Sequence, residues 1–160
     1  MSARGKPSEA RPRRTRTTGS DPVSRGALPR KQALTAMNAL ARQARELARA
    51  PYSRFKVGAA LKTREGEIVT GCNIESASYG LSVCAERVAL WKALSEGLGE
   101  FEAIVIVTAA ERPTPPCGAC RQLLWEYCGD ITVRMTTLAG RSRAAWLREL
   151  MPMPFDKSRL

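Results

Sequence analysis

The chain has 160 residues, 44% of them hydrophobic, and a formal net charge of +11. That length suits a single domain with a sizeable core, and no apolar run approaches the roughly 20 residues that cross a bilayer. Five cysteines and no histidine argue against a closed disulfide framework and exclude Ser-His-Asp and Cys-His nucleophilic machinery within one chain.

The charge is unevenly spread. Residues 1–30 hold eight Lys/Arg against two Asp/Glu, so about half of the excess sits in a stretch rich in Arg, Pro, Ser and Thr. Its apolar content is too low to order it, and it reads as a disordered basic tail. The sharper alternative is an electrostatic arm for a polyanion, and an over-extended reading-frame start would look the same. It has no apolar h-region and does not read as a secretory signal.

From residue 31 onward the pattern is that of one folded domain, 31–160. "RKQALTAMNALARQARELARA" carries apolar residues at Leu34, Met37, Ala41, Ala44, Leu47 and Ala48, the spacing of an amphipathic helix, stopped by Pro51. "FKVGAALKT" and "EIVTGCNIE" are strand-like runs joined by a short turn at Gly66, which makes a hairpin. "SVCAERVALWKAL" has helical spacing and ends near Gly97 and Gly99. "FEAIVIVTAA" reads as a central strand covered on both faces. "CGACRQLLWEYC" predicts a short helix up to Gly129, "ITVRMTT" a strand, and "RAAWLRELM" a last helix. The predicted order is α-β-β-α-β-α-β-α, an α/β domain of three layers, α/β/α, around one mixed sheet.

Two places put cysteine at the entrance of a helix. Cys84 opens one; Cys117 and Cys120, behind Pro116, open the next. A helix N-terminus favours thiolate over thiol. Cysteines three apart share a helical face, so Cys117 and Cys120 can grip one ion, with Cys84 as third ligand. Three thiolate ligands suit a catalytic zinc site, which keeps a position for water, whereas structural sites are closed by four. Cys72 and Cys128 read as small core residues.

Glu86 lies two residues after Cys84, which on a regular helix turns it by about 200° away. A Cys84 at the cap, outside helical angles, removes that conflict and lets Glu86 lean over the open position. An acidic residue in the first turn that merely suits the helix dipole is the plainer alternative. An Arg87 guanidinium donating to a ligand sulfur would draw off some of the excess charge of three thiolates around a divalent ion; a surface arginine is the plainer alternative.

C-A-E followed by P-C-x-x-C resembles the zinc-dependent nucleoside and nucleobase deaminase signature, in the form where Cys replaces a His ligand. With "PYSRFKVGAAL", "GCNIESASYG" and "ELMPMPF", the stretch from about residue 32 to Phe155 is similar to the small homotetrameric cytidine deaminases. The resemblance implies that Cys84, Cys117 and Cys120 hold Zn2+, one ion per subunit, and that Glu86 shuttles protons. It implies that Asn73 and Glu75 hold the ribose hydroxyls, that Phe55 lines the base pocket, and that the Ala85 N–H binds the pyrimidine O2. It further implies that Phe155 reaches a neighbouring subunit's site in a homotetramer with shared active sites, and that Tyr79 lies at the subunit contacts. For Asn73 and Glu75 a polar strand end, and for Phe55 core packing, remain open on spacing alone. The basic tail is not part of the family pattern.

The implied activity is hydrolytic deamination of cytidine, and of 2′-deoxycytidine, in pyrimidine salvage in the cytoplasm, where thiols stay reduced. The expected partner is a small nucleoside, with no membrane and no nucleic acid. The competing expectations are a deaminase of a cytosine nucleoside antibiotic of the blasticidin S type, a polynucleotide cytosine deaminase, and a non-enzymatic zinc module closed by Cys72 or Cys128. Against the second, the dense basic segment is the tail, and aromatic residues for base stacking make up only 6% of the chain.

Overall fold

A computed structural model of the chain describes residues 30–157 and 160. The basic tail expected over 1–30 lies outside the described residues, except that Arg30 opens the first helix. The elements are α1 (Arg30–Glu46), β1 (Val57–Thr63), β2 (Ile68–Cys72), a 3-10 turn (Tyr79–Leu81), α2 (Ala85–Ser95), β3 (Phe101–Thr108), α3 (Gly118–Cys128), β4 (Thr132–Thr137), β5 (Ser142–Trp146) and α4 (Leu147–Leu150).

The five strands form one sheet in the order β2-β1-β3-β4-β5. β1 runs antiparallel to β2 and β3, β3 parallel to β4, and β4 antiparallel to β5, so the sheet is mixed. Alternate strand residues face opposite sides. Ala60, Val105 and Val107 turn to one face and pack with Met37 and Ala41 of α1. Ala59, Leu61, Ile104, Ile106, Val133 and Met135 turn to the other, against Ala85, Ala89 and Leu90 of α2 and Leu124 of α3. The uninterrupted apolar run of β3 is therefore buried on both sides, and the three-layer arrangement expected from the sequence is present. No described helix is long and apolar enough to cross a membrane.

Two glycines bring helices onto the sheet at backbone distance. A Cβ added to Gly58 would lie 2.0 Å from the Ala41 carbonyl oxygen of α1, and one added to Gly71 would lie 2.4 Å from the Ala85 carbonyl oxygen of α2. The second approach sets the height at which the mouth of α2 stands above the end of β2.

Two expectations need correction. The first helix was expected to run to Pro51, yet α1 ends at Glu46, and Leu47 is 72% exposed. Arg49 instead joins an extended bridge: its N–H donates to Asn73 O at 3.0 Å, and its carbonyl accepts from Glu75 N at 2.8 Å. A residue ahead of proline resists helical angles, so Ala50-Pro51 supports that exit. The second correction concerns "RAAWLRELM", which does not form one helix. Ser142–Trp146 is strand β5, and only Leu147–Leu150 is helical, so the order ends α-β-β-α. The turn after β4 closes with Gly140 at φ 86°, Thr137 N–H donating to Arg141 O at 2.9 Å. That turn lays Arg143, Ala144 and Ala145 against Met135, Arg134 and Val133. Pairing with the open edge of β4 overrides the helix preference of alanine.

Candidate active site

The site is built where the chain leaves β2 and β3 and enters α2 and α3. Cys84 is the N-cap of α2, with φ −72° and ψ 153°, and Cys117 the N-cap of α3, with φ −65° and ψ 166°. Both are extended, so both thiols swing off the helix axis. That resolves the angular conflict noted for Glu86, which lies inside the first turn of α2 while Cys84 lies outside it. Cys120, one turn into α3, is buried. The sulfurs of Cys84, Cys117 and Cys120 all lie within 4.8 Å of one another, and those of Cys84 and Cys117 are 4.0 Å apart. A tetrahedral zinc ion with Zn–S bonds of about 2.3 Å has sulfurs about 3.8 Å apart, so the three thiols fit such an ion with small adjustments.

The electrostatics of the cluster also call for a cation. Cys84 is held down at about 5, first by a hydrogen bond from Cys120 and further by the Arg87 guanidinium, against the opposing effect of burial. Cys120, the partner in that bond, is pushed far up by Cys84, by burial and by the charge of Glu86. Thiols this close to one another and to a carboxyl cannot all ionise unless a positive charge sits between them. Cys72 and Cys128 are not part of the group. Burial alone pushes Cys128 up to about 12, the behaviour of a core thiol.

Glu86 is only 6% exposed. Burial raises its carboxyl to about 7, opposed by a hydrogen bond from its own backbone N–H, and the charge of Cys84 adds to the rise. Arg87 turns back across the helix mouth. Its Nη2 donates to Ser82 O at 3.0 Å and lies 4.0 Å from Cys84 Sγ, while the guanidinium sits 5.5 Å from the centre of the Trp91 ring. Ala85 is fully buried at the first position of α2, where a backbone N–H has no acceptor within the helix.

A three-segment bridge carries the polar pair that follows β2 to this place. Ile74 pairs with Arg49 on one side and with Val83 on the other, its N–H donating to Val83 O at 2.9 Å. Asn73 and Glu75 flank Ile74 and are thus fixed beside the segment that leads into Cys84. Asn73 is buried; its Oδ1 accepts from Val57 N at 2.8 Å, and its Nδ2 donates to Phe55 O at 2.9 Å. Glu75 borders an open cleft of about 390 Å³ lined also by Tyr52, Ser53, Tyr79 and Ser82. Its carboxylate accepts from Tyr52 N at 2.9 Å, from Ser53 N at 3.1 Å and from the Ser53 hydroxyl. These bonds hold it below the usual carboxylate range, the Ser53 hydroxyl first.

The remaining expected residues lie at the rim. Phe55 is partly exposed, and its N–H donates to Ser53 Oγ at 3.0 Å. Tyr79 is 76% exposed and meets the Tyr52 ring edge-on at 6.0 Å. Phe155 is not drawn into the cleft: its ring is 62% exposed, while its carbonyl accepts from Gln122 Nε2 of α3 at 2.5 Å. The sequence reading missed Ser53, Ser82 and Trp91. Ser53 had a local signal, a hydroxyl two residues before an amide it can cap. Trp91 had one too, an aromatic four residues after an arginine on one helix. Ser82 acts through its carbonyl, for which the side chain is no guide.

Residues 31–135 match the family described as the cytidine and deoxycytidylate deaminase zinc-binding region. The chain belongs to this family. A cytidine deaminase of Halalkalibacterium halodurans is 52% identical over 114 residues, covering 71% of this chain and 86% of that protein. The crystal structure of a cytidine deaminase from Burkholderia pseudomallei superposes with a TM-score of 0.74 at 48% identity, covering 76% of this chain and 98% of the other. A blasticidin-S deaminase of Bacillus cereus is more distant, 32% identical over 114 residues, covering 66% of this chain and 81% of its own. The family is zinc-binding by description, and among the described residues the clustered thiols of Cys84, Cys117 and Cys120 suit the ion.

Proposed function

We propose that the chain is a cytidine deaminase: it converts cytidine and water to uridine and ammonia. The observation that carries this reading is the meeting of three thiols from two helix mouths with one buried carboxyl, Glu86, one residue inside the first mouth. Cys84, Cys117 and Cys120 would hold one zinc ion per subunit. Zinc held by such ligands makes water acidic, lowering its pKa from about 15.7 toward 7.

The chain's own groups carry the protons. Glu86 accepts a proton from the attacking water and gives it to N3 of the pyrimidine, so that C4 takes the incoming oxygen. It then takes the remaining proton from the new hydroxyl on C4 and passes it to the amino nitrogen; the C4–N bond breaks as the C4 carbonyl forms, and ammonia leaves. Proton transfer by a positioned carboxyl is worth about 10²–10⁴-fold in rate. The Ala85 N–H is the donor for the pyrimidine O2, and Phe55 lies against the base. Arg87 donates toward Cys84 Sγ and draws charge from it, which makes the site a better acid.

Asn73 and Glu75 read the sugar. An amide carries two N–H hydrogens and a carboxylate about four acceptor positions. One hydrogen and three positions are already used within the chain. One N–H and one acceptor position match a single hydroxyl that accepts from Asn73 and donates to Glu75. That capacity supports deoxyribose as well as ribose, and therefore 2′-deoxycytidine as a second substrate.

The same reading makes 31–160 the catalytic domain of a cytoplasmic enzyme of pyrimidine salvage, in keeping with five free cysteines. It makes the assembly a homotetramer with shared sites. Tyr79, Leu81 and Phe155 are exposed large apolar side chains, which a neighbouring copy would cover. The distance of the blasticidin-S deaminase relative leaves cytidine as the favoured substrate.

The test is ultraviolet monitoring of cytidine conversion with a zinc assay on the same protein. Glu86→Ala should retain its zinc and lose turnover. Near-normal deamination by zinc-loaded Glu86→Ala, or protein that binds no zinc, overturns the reading.

A further inference from the structure

The cleft that Glu75 borders, lined also by Ser82 two residues before Cys84, contains a hydroxyl with no assigned task. Ser53 Oγ accepts from Phe55 N at 3.0 Å and donates to Glu75 Oε1. The Phe55 N–H occupies one side of the oxygen, so the serine proton is left to point at the carboxylate. Tyr52 N and Ser53 N meanwhile hold Glu75 Oε2 at 2.9 and 3.1 Å. One oxygen is thus clamped by two backbone amides, and the other by a side chain alone. The loop 50–54 turns tightly enough to aim these donors, Arg54 N bonding Ala50 O at 3.1 Å with Arg54 itself at φ 57°.

We propose that Ser53 is a positioning residue for sugar recognition: held by the Phe55 N–H, its hydroxyl fixes the rotation of the Glu75 carboxylate so that the carboxylate's remaining acceptor position faces the nucleoside. This inference rests on the reading of Glu75 as the sugar-binding carboxylate. Without the hydroxyl, Glu75 stays tethered through Oε2 but is free to turn about that contact, and Oε1 samples water instead of the sugar. Ser53 also ties the two halves of the substrate pocket together. The residue whose ring lies against the base, Phe55, and the residue that receives the sugar hydroxyl, Glu75, share one oxygen atom as their link. The reaction at C4 is untouched, so the effect falls on binding and not on the chemical step.

The experiment compares cytidine with 2′,3′-dideoxycytidine, which lacks the sugar hydroxyls on the ring, for the zinc-loaded wild type, Ser53→Ala and Ser53→Thr. A hydrogen bond to a charged group is worth enough to change affinity about tenfold or more. Ser53→Ala should lower kcat/KM for cytidine about tenfold, mostly through KM, and change the dideoxy substrate by less than about twofold. Ser53→Thr, which keeps the hydroxyl, should restore discrimination between the two substrates. Ser53→Cys, similar in size but a weak donor, is the second variant should the alanine protein fail to fold, and should show the alanine pattern. Equal losses on both substrates mean a merely structural serine and overturn the proposal. So does full discrimination retained by Ser53→Ala, while the sugar-binding reading of Glu75 survives. A wild type that treats the two substrates alike removes that reading and the proposal with it.

Discussion

Gly71 of β2 and Ala89 of α2 stand closer than side chains would permit. A Cβ on Gly71 would lie 2.4 Å from the Ala89 nitrogen, the same distance from the Ala85 carbonyl oxygen, and 3.0 Å from Val88 Cβ. The obstructing atoms are mostly backbone in the helix that starts at the thiol cluster, so no rotamer change relieves the clash. Gly71→Ala should destabilise the fold by about 3 kcal/mol, the upper range for overpacking. It should also lift the mouth of α2 and weaken zinc binding. Denaturant midpoints with and without zinc measure both effects. Wild-type stability together with undiminished zinc affinity would show that the approach is not tight.

Trp91 holds the far side of Arg87, whose guanidinium is 5.5 Å from the ring centre, while Nη2 reaches toward Cys84 Sγ. A partly exposed cation–π contact contributes about 0.5–1 kcal/mol. Trp91→Leu should therefore lower kcat about two- to fivefold at unchanged zinc content, and Trp91→Phe should keep most of the activity. An unaltered kcat in Trp91→Leu would mean that the bond to Ser82 O orients Arg87 without help.

Glu75 gives a pH signature. Its carboxyl is held below its ordinary value of 4.5, first by the Ser53 hydroxyl. A depressed folded-state value means a contribution fully present above about pH 4.5 and lost as pH falls through the lower folded value. The difference in melting temperature between wild type and Glu75→Gln should be constant from neutral pH down to about 5 and shrink below that. A difference that grows on acidification would reverse the assigned sign.

The five thiols should separate by reactivity. Burial holds Cys128 protonated, at about 12, whereas Cys117 is exposed. After chelation of the metal, iodoacetamide should label Cys117 before Cys128, because thiolate and access both govern the rate. In the zinc-loaded protein, Cys84, Cys117 and Cys120 should all be protected. Peptide mass mapping gives the order, and early labelling of Cys128 would contradict it.

Several features were legible in the residues themselves. The paired cysteines after Pro116, the glutamate two places after Cys84 and the uninterrupted apolar run of β3 carry their meaning in local spacing, and helix periodicity and strand burial follow directly from it. What local spacing does not contain is the partner of a segment. "RAAW" has helix-forming alanines, yet it becomes β5 because β4 offers an open edge that a four-residue turn can reach. Arg49 likewise leaves the helix periodicity because Asn73 and Glu75 supply its hydrogen bonds.

The sequence by itself determined the chemistry on offer: three thiols, one carboxyl and one guanidinium at helix entrances, with no histidine to compete. Only the tertiary structure decided that thiols 33 residues apart in the chain come within 4.0 Å and that Ser53 meets Glu75. Those distances depend on how closely α2 and α3 settle on the sheet and on the bridge through Ile74. Such contacts between distant segments are set by packing, which no local pattern encodes.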